Sequence, residues 1–193
     1  MNLKSHIRNV KDFVRKMELK LLTTPRLILK ILSPEDFIYT FENNSESEIK
    51  KILGHNSDEE YLKEKNKYEN GYTTYNRSFK YFQIIKKNSG TIIGGCGFHN
   101  WYPDHRRAEL GYVITEEEFK GKRIMSEALE VVIDYGFNKL NLHRIEALVG
   151  TNNIPSLKLM GKFNFVKEGV LRQHYFVNNQ FEDSVIFSKL HSD

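Results

Sequence analysis

A single cysteine, Cys96, stands among the 193 residues, so no disulfide can form within the chain. A lone thiol with no secretory signal fits a reducing compartment and points to the cytoplasm. Cys96 lies in the apolar run Ile92-Ile93-Gly94-Gly95-Cys96-Gly97-Phe98, which favours a small core residue over a nucleophile. No segment approaches the roughly 20 apolar residues of a membrane span, so no membrane partner is expected. The seven histidines are scattered without ligand-like spacing, and no metal site is expected. Repeats, low-complexity tracts and interdomain linkers are lacking too, and a chain of this length suits one well-cored domain.

What the chain does contain is ordinary for a globular protein: 39% hydrophobic and 28% charged residues, with aromatics enough for large buried faces. The net charge of +4 suits a phosphate-bearing ligand or a ribosomal neighbour, without choosing between them. Residues 1–18 read as an amphipathic extension to a domain spanning 19–193. Leu3, Ile7, Val10, Val14 and Met17 mark one helical stripe, ringed by Lys4, Arg8, Lys11, Arg15 and Lys16. With no continuous apolar stretch it is not a signal peptide. It would dock on the domain, pair with another copy or touch an anionic surface, unless Met17 is the natural start.

From there the elements alternate. Pro25 to Ile31 has the period-two pattern of a strand. Ser33-Pro34-Glu35-Asp36 and Ser57-Asp58-Glu59-Glu60 are helix starts, the second opening a polar helix that fades near Asn70-Gly71. Phe79 to Lys87 and Thr91 to His99 form a hairpin, and a loop over 100–105 leads to a strand from Arg107 to Thr115. Leu129, Val132, Ile133, Gly136, Phe137 and Leu140 make the buried stripe of the most regular helix. A strand over 144–149, a helix over 154–163 and a hairpin turning at Asn178-Asn179 complete the chain. The strand-helix-strand unit at its centre requires a parallel pair. One mixed sheet with helices on both faces follows.

The chemistry concentrates between the 107–115 strand and the regular helix, at Phe119-Lys120-Gly121-Lys122-Arg123-Ile124-Met125-Ser126-Glu127-Ala128. A strand entering a helix through a glycine turn aims free N–H groups at one point, which binds phosphate with help from the helix dipole. Lys120, Lys122 and Arg123 add positive charge. A basic turn with no ligand is the plain alternative.

Ala108-Glu109-Leu110-Gly111-Tyr112, that turn, Arg144-Ile145-Glu146-Ala147, Asn153-Ile154-Pro155-Ser156, Lys162-Phe163-Asn164-Phe165 and Glu168-Gly169 occur in the order seen in the GNAT superfamily of acetyltransferases. The chain resembles that superfamily, and within it the branch of ribosomal-protein N-terminal (Rim-type) acetyltransferases. The resemblance implies an α/β (α+β) fold with a mixed, mostly antiparallel sheet and a central parallel pair that splays apart. It also implies acetyl-CoA as co-substrate and an amine acceptor, either a peptide N-terminus or a small molecule. Tyr112, Val113 and Ile114 would pair with the pantetheine arm. Lys120, Gly121, Lys122, Arg123, Ile124, Met125 and Ser126 would hold the diphosphate, with Asn153, Ser156 and Lys162 completing the site.

The family's loop carries glutamine or arginine, then glycine, then a small residue where this chain has Lys120, Arg123 and Met125. Arginine at 123 is tolerated if φ is negative and strained by roughly 1–2 kcal/mol if φ is positive. Gly111 marks an expected bulge where the strand splays. Asn153 and Ser156 suit ligand contact and helix capping equally. Glu109 is the expected base, or else a partner for Arg106 or Arg107. His174 is the second base candidate, and Ser156 the proposed acid for the thiolate. Trp101, Tyr102, Tyr175 and Phe176 suit an acceptor pocket, a core or a homodimer contact. A non-catalytic acyl-CoA-binding module is one competing class. A nucleic-acid binder is another, without a readable motif to support it.

Overall fold

The structure, a computed structural model, describes residues 20–74 and 76–193. The amphipathic stripe before Met17 lies outside the described residues. Strands β1 (Leu21–Thr23) and β2 (Leu27–Leu32) lead into helices α1 (Pro34–Asn43), α2 (Glu46–Leu53) and α3 (Asp58–Asn70). Strands β3 (Ser78–Lys86), β4 (Ile92–Tyr102) and β5 (Arg107–Ile114) follow, then α4 (Ile124–Asn138), β6 (Arg144–Gly150) and α5 (Ile154–Lys162). Strands β7 (Val166–Val177) and β8 (Gln180–Leu190) close the chain.

The eight strands described form one sheet in the order β1-β2-β3-β4-β5-β6-β8-β7. Neighbours run antiparallel except β5 and β6, which α4 connects as a crossover. The expected mixed sheet is therefore present, with its parallel pair at the centre.

Register decides what each face meets, because paired residues share a face. Phe98 pairs with Leu110 and Ala108 with Ile145, and all four belong to the core under α4. The helix crosses closely: a Cβ at Gly136 would lie 2.5 Å from the Phe98 ring, so glycine is required there. Ala147, Val149, Val185, Phe187 and Met160 extend the same core towards α5. On the other face Phe37 of α1 packs edge-on against Tyr81, and the buried Gln83 amide donates to the Ile52 carbonyl of α2 at 3.1 Å. Leu32, Phe37, Ile49, Leu53 and Tyr61 form a second, smaller core there.

Helix α2 was not among the expected elements. Its buried positions are two, Ile49 and Leu53, too few for a readable stripe. Its start signal is nonetheless in the sequence: the Glu48 carboxylate accepts from the Ser45 N–H at 2.8 Å, a capping box. A further correction concerns 100–105. Strand β4 continues through Trp101 and Tyr102, and a single 3-10 turn, Pro103–His105, makes the connection. Tyr102 is held in the strand by the guanidiniums of Arg107 and Arg77, 4.3 Å and 5.3 Å from its ring centre.

Candidate active site

Strands β5 and β6 pair through three positions, Arg107–Arg144, Ala108–Ile145 and Glu109–Glu146, and then part. Beyond that point β5 stays with β4 as far as Ile114, and β6 stays with β8 as far as Gly150. Residues Leu110 to Ile114 are thus left without a strand partner on the β6 side. Their amides and carbonyls form an open edge inside the sheet, where an extended ligand amide can bond. No bulge occurs at Gly111, contrary to expectation: it pairs in register with Gly97. The irregularity lies on β4 instead, between His99 and Tyr102, where Asn100 adopts φ 45°. Gly111 serves a different need. A Cβ there would sit 2.9 Å from His99 Cε1, so glycine makes room for the imidazole.

Tyr112 shares the α4 face with Leu110, and its buried hydroxyl has the Ser156 hydroxyl nearby but no hydrogen bond of good geometry among the described residues. Burial pushes the phenol pKa up, while the neighbouring Ser156 hydroxyl works the other way. An orphaned buried hydroxyl beside the gap is what a site awaiting a polar ligand leaves behind.

At the far end of β5 the chain turns through Glu117–Phe119 into α4. Gly121 has φ +71° and open space where a side chain would be. Arg123, the N-cap, is left-handed at φ 59° and ψ 17°, and it makes no capping bond with its side chain. The first-turn N–H groups of α4 have no acceptor within the helix. Ile124 and Met125 turn into the core and Ser126 is buried, so the departure from a small residue at 125 does not obstruct the turn. Lys120 is committed to Glu117, and Lys122 sits 5.9 Å from the Phe119 ring.

The turn is braced from β2. Glu127 accepts from Thr24 Oγ1 at 2.5 Å, from the Arg26 N–H at 2.8 Å and from Arg26 Nε at 2.5 Å. So held, Arg26 Nη1 donates to the Lys122 carbonyl at 3.1 Å. A trans peptide points its C=O and N–H in opposite directions, so fixing that carbonyl also fixes the direction of the Arg123 N–H. The left-handed backbone of Arg123 costs the fold stability. Arg123→Gly is expected to raise the melting temperature by about 2–4 °C, the equivalent of about 1 kcal/mol in a chain this size. Calorimetric melting checks it.

Across the gap, Asn153 caps α5, its Oδ1 accepting from the Ser156 N–H at 3.2 Å. Capping therefore uses the side-chain oxygen and leaves the amide NH2 of Asn153 for other partners. Lys162 stands at the opposite end of α5, roughly 12 Å along the helix, beside Phe163. It is not brought to the gap with the others.

Glu109 lies at the apex of the gap on the face opposite α4. It pairs with neither Arg106 nor Arg107. Arg106 bonds Asn141, and Arg107 Nη1 lies 3.1 Å from Glu146 Oε2. Glu109 instead contacts His99 Nε2 at 3.1 Å and accepts from Asn100 Nδ2 at 3.0 Å. Burial raises its pKa, but the bonds from His99 and Asn100, with the His99 and His174 charges, outweigh burial and set it below normal. His174 Nδ1 lies 2.7 Å from Ser184 Oγ. An irregularity in β7 between Leu171 and Tyr175 re-aims it, with Gln173 at φ 51° and its N–H bonded to Asp183 at 2.7 Å. His99 was passed over in the sequence; Asn100 stood there only as part of a loop walling the acceptor pocket, and Glu146 only as part of a motif.

Beside this pocket Arg144 links Glu146 (2.7 Å) and Glu168 (2.5 Å), and Ser188 donates to Glu168 at 2.6 Å. The Arg144 guanidinium, with Ser188, draws the Glu168 pKa from 4.5 down to about 2. A depressed folded pKa gives stability that is present above pH 4.5 and lost as pH falls towards 2. The pair is solvent-screened, so its worth is about 1 kcal/mol or less. Glu168→Gln is expected to lower stability at pH 7 while flattening its loss between pH 4.5 and 2, as urea melts at the two pH values would report.

The comparisons agree with this geometry. Residues 26–166 match the acetyltransferase (GNAT) domain, and the chain belongs to that family. It is 34% identical to the uncharacterized N-acetyltransferase YoaA of Bacillus subtilis over 170 residues, covering 87% of this chain and 95% of YoaA. It is 33% identical to the spermidine N(1)-acetyltransferase of Escherichia coli over 81 residues, covering 42% of this chain and 43% of that protein. Among solved structures, the ribosomal-protein-S5-alanine acetyltransferase of Vibrio fischeri aligns with a TM-score of 0.63 at 24% identity, over 90% of this chain and 97% of that one. The chain is an acetyltransferase of the GNAT class, with the Rim-type resemblance seen in its sequence.

Proposed function

We propose that the chain transfers the acetyl group of acetyl-CoA directly to a primary amine, with no covalent enzyme intermediate, and that the amine is a peptide or protein N-terminal α-amine. The observation that carries this reading is the parted β5–β6 pair, whose open edge runs from Glu109 towards the braced amide turn at Gly121–Ser126. Acetyl-CoA supplies an activated acyl carbon on a sulfur leaving group. Backbone groups of Tyr112, Val113 and Ile114 would pair with its pantetheine amides. The N–H groups from Gly121 to Ser126 would hold its diphosphate, with Lys122 and Arg123 adding charge. The Asn153 amide would donate from the far wall. The orphaned Tyr112 hydroxyl and Ser156 stand where the departing sulfur needs a proton, and Ser156 is the acid. Cys96, fully buried with its thiol pKa pushed up, takes no part as a nucleophile.

The acceptor approaches over the face bearing Glu109. A neutral α-amine is reached from a pKa near 8, against about 10.4 for lysine, a difference of roughly 3.4 kcal/mol in deprotonation. Charge favours one ammonium over several. Glu146 and Glu168, the acidic neighbours of Glu109 along this face, are neutralised by Arg107 and Arg144. A polyamine would find these carboxylates engaged, and Glu109 itself bonded to His99 and Asn100. His174 lies at the rim as a hydrogen-bonding group for the peptide.

Titration calorimetry with acetyl-CoA, followed by thiol release with a panel of N-terminal peptides, free lysine and spermidine, tests the proposal. Binding and preferential turnover of peptides support it. Preference for spermidine moves the acceptor to small amines, and failure to bind acetyl-CoA overturns the reading altogether.

A further inference from the structure

The irregularity in β4 does something a regular strand cannot. Successive side chains normally alternate between faces. Here the left-handed Asn100 lets His99 and its neighbour Asn100 both reach Glu109, at 3.1 Å and 3.0 Å. The carboxylate contacts His99 through Nε2, which places the imidazole proton on Nε2 and the lone pair on Nδ1. That free edge has a defined direction. Nδ1 and Cε1 lie 3.1 Å and 2.9 Å from where a Cβ of residue 111 would be, directly over Gly111. Gly111 is the second residue beyond the last β5–β6 pair, at the apex of the gap.

We propose that His99 is the general base of the transfer and that Glu109 is a positioning residue that fixes its tautomer and steadies its charge. The inference rests on the acetyl-transfer reading above. The acceptor ammonium gives one proton to His99 Nδ1, leaving a neutral amine and an imidazolium paired with Glu109. The amine nitrogen then forms its bond to the acetyl carbon as the carbon–sulfur bond breaks; the Ser156 hydroxyl protonates the departing sulfur and takes the nitrogen's second proton in return. His99 is half-exposed, so its proton returns to water. The titratable and charged groups facing this pair are His174, Tyr175, whose phenol pKa is raised by burial and by the Glu109 charge, and Glu146, which pairs with Glu109 across the strands and is held by Arg107 and Arg144. The lowered pKa of Glu109 agrees with a carboxylate that stays ionised beside an imidazole and is a weak base itself.

The test is the pH profile of kcat/KM with a peptide acceptor, measured beside acetyl-CoA affinity. In the wild type two limbs are expected, one from the imidazole and one from the substrate ammonium. His99→Gln is expected to lower kcat/KM by about 10²–10³-fold near pH 7, leave the acetyl-CoA Kd unchanged and keep the substrate limb alone. Glu109→Gln, whose amide oxygen can still accept from Nε2, is expected to lose less, while Glu109→Leu, which cannot, loses as much as His99→Gln. Gly111→Ala, which displaces the ring without removing it, is expected to resemble His99→Gln. A His99→Gln enzyme with wild-type rate and both limbs overturns the proposal and leaves acetyl transfer standing. A wild type that binds acetyl-CoA but acetylates no amine overturns the transfer reading, and this one with it.

Discussion

Alanine at Gly94 is expected to destabilise the fold by about 3–4 kcal/mol, a fall of roughly 8–14 °C in melting temperature for a chain of this size. Gly94 sits in β4 with φ +153°, and a Cβ there would lie 2.2 Å from the Val113 carbonyl oxygen and 3.0 Å from Ile114 Cα. Both are backbone atoms of β5, so relief demands that one strand move rather than one rotamer. The strand that would move forms the open edge of the site. Two controls separate the contributions. Gly90→Ala has φ +69° and nothing within 4 Å, so it carries the backbone penalty alone, about 1 kcal/mol. Gly150→Ala has neither a clash nor a positive φ, and a change within about 0.5 kcal/mol is expected. Equal falls for all three in differential scanning calorimetry would sink the argument.

Glycines of this kind mark the boundary of what was legible in the sequence. The stripe of α4 was readable because a single element carries it, and all its positions from Leu129 to Phe137 are buried. The last hairpin was readable because its turn is local: Asn178 and Asn179 adopt φ 50° and 60°, which asparagine tolerates. The parted strand pair was recognisable by resemblance, and the register confirms it. The environment of Glu109 was not readable. Beside a base role, the sequence offered only its neighbours Arg106 and Arg107 as partners, whereas the true ones arrive across the sheet from a distortion in β4. A left-handed asparagine inside a strand has no sequence signature of its own. The φ of Arg123 was undecidable for a related reason. Arginine can occupy either region, and the choice falls to the helix entry, where the packing of Ile124 and Met125 outweighs a cost of one or two kcal/mol. A bulge at Gly111 was the natural reading of a glycine in a strand, but the space it leaves is filled by His99 from the neighbouring strand.

The brace behind the turn into α4 joins residues about a hundred positions apart, so it too emerges from the fold alone, and it carries the second large effect. Glu127→Ala is expected to weaken acetyl-CoA binding by about 10–50-fold, or roughly 1.4–2.3 kcal/mol. The carboxylate holds Thr24 Oγ1, the Arg26 N–H and the Arg26 guanidinium together, with its own pKa kept low by those bonds although burial raises it. Without it Arg26 loses its anchor and the Lys122 carbonyl loses Arg26 Nη1. The peptide between 122 and 123 is then free to rotate, and the Arg123 N–H loses its fixed direction. A general loss of stability would weaken every ligand alike, so the discriminating ligand is S-acetyl-pantetheine, which keeps the thioester and lacks the diphosphate. Its kcat/KM should be the same for the wild type and for Glu127→Ala, while that for acetyl-CoA falls. Arg26→Ala should repeat the pattern, because it removes the same contact one step closer to the turn. If both substrates lose activity in proportion, Glu127 merely holds β2 against α4, and the diphosphate is bound elsewhere.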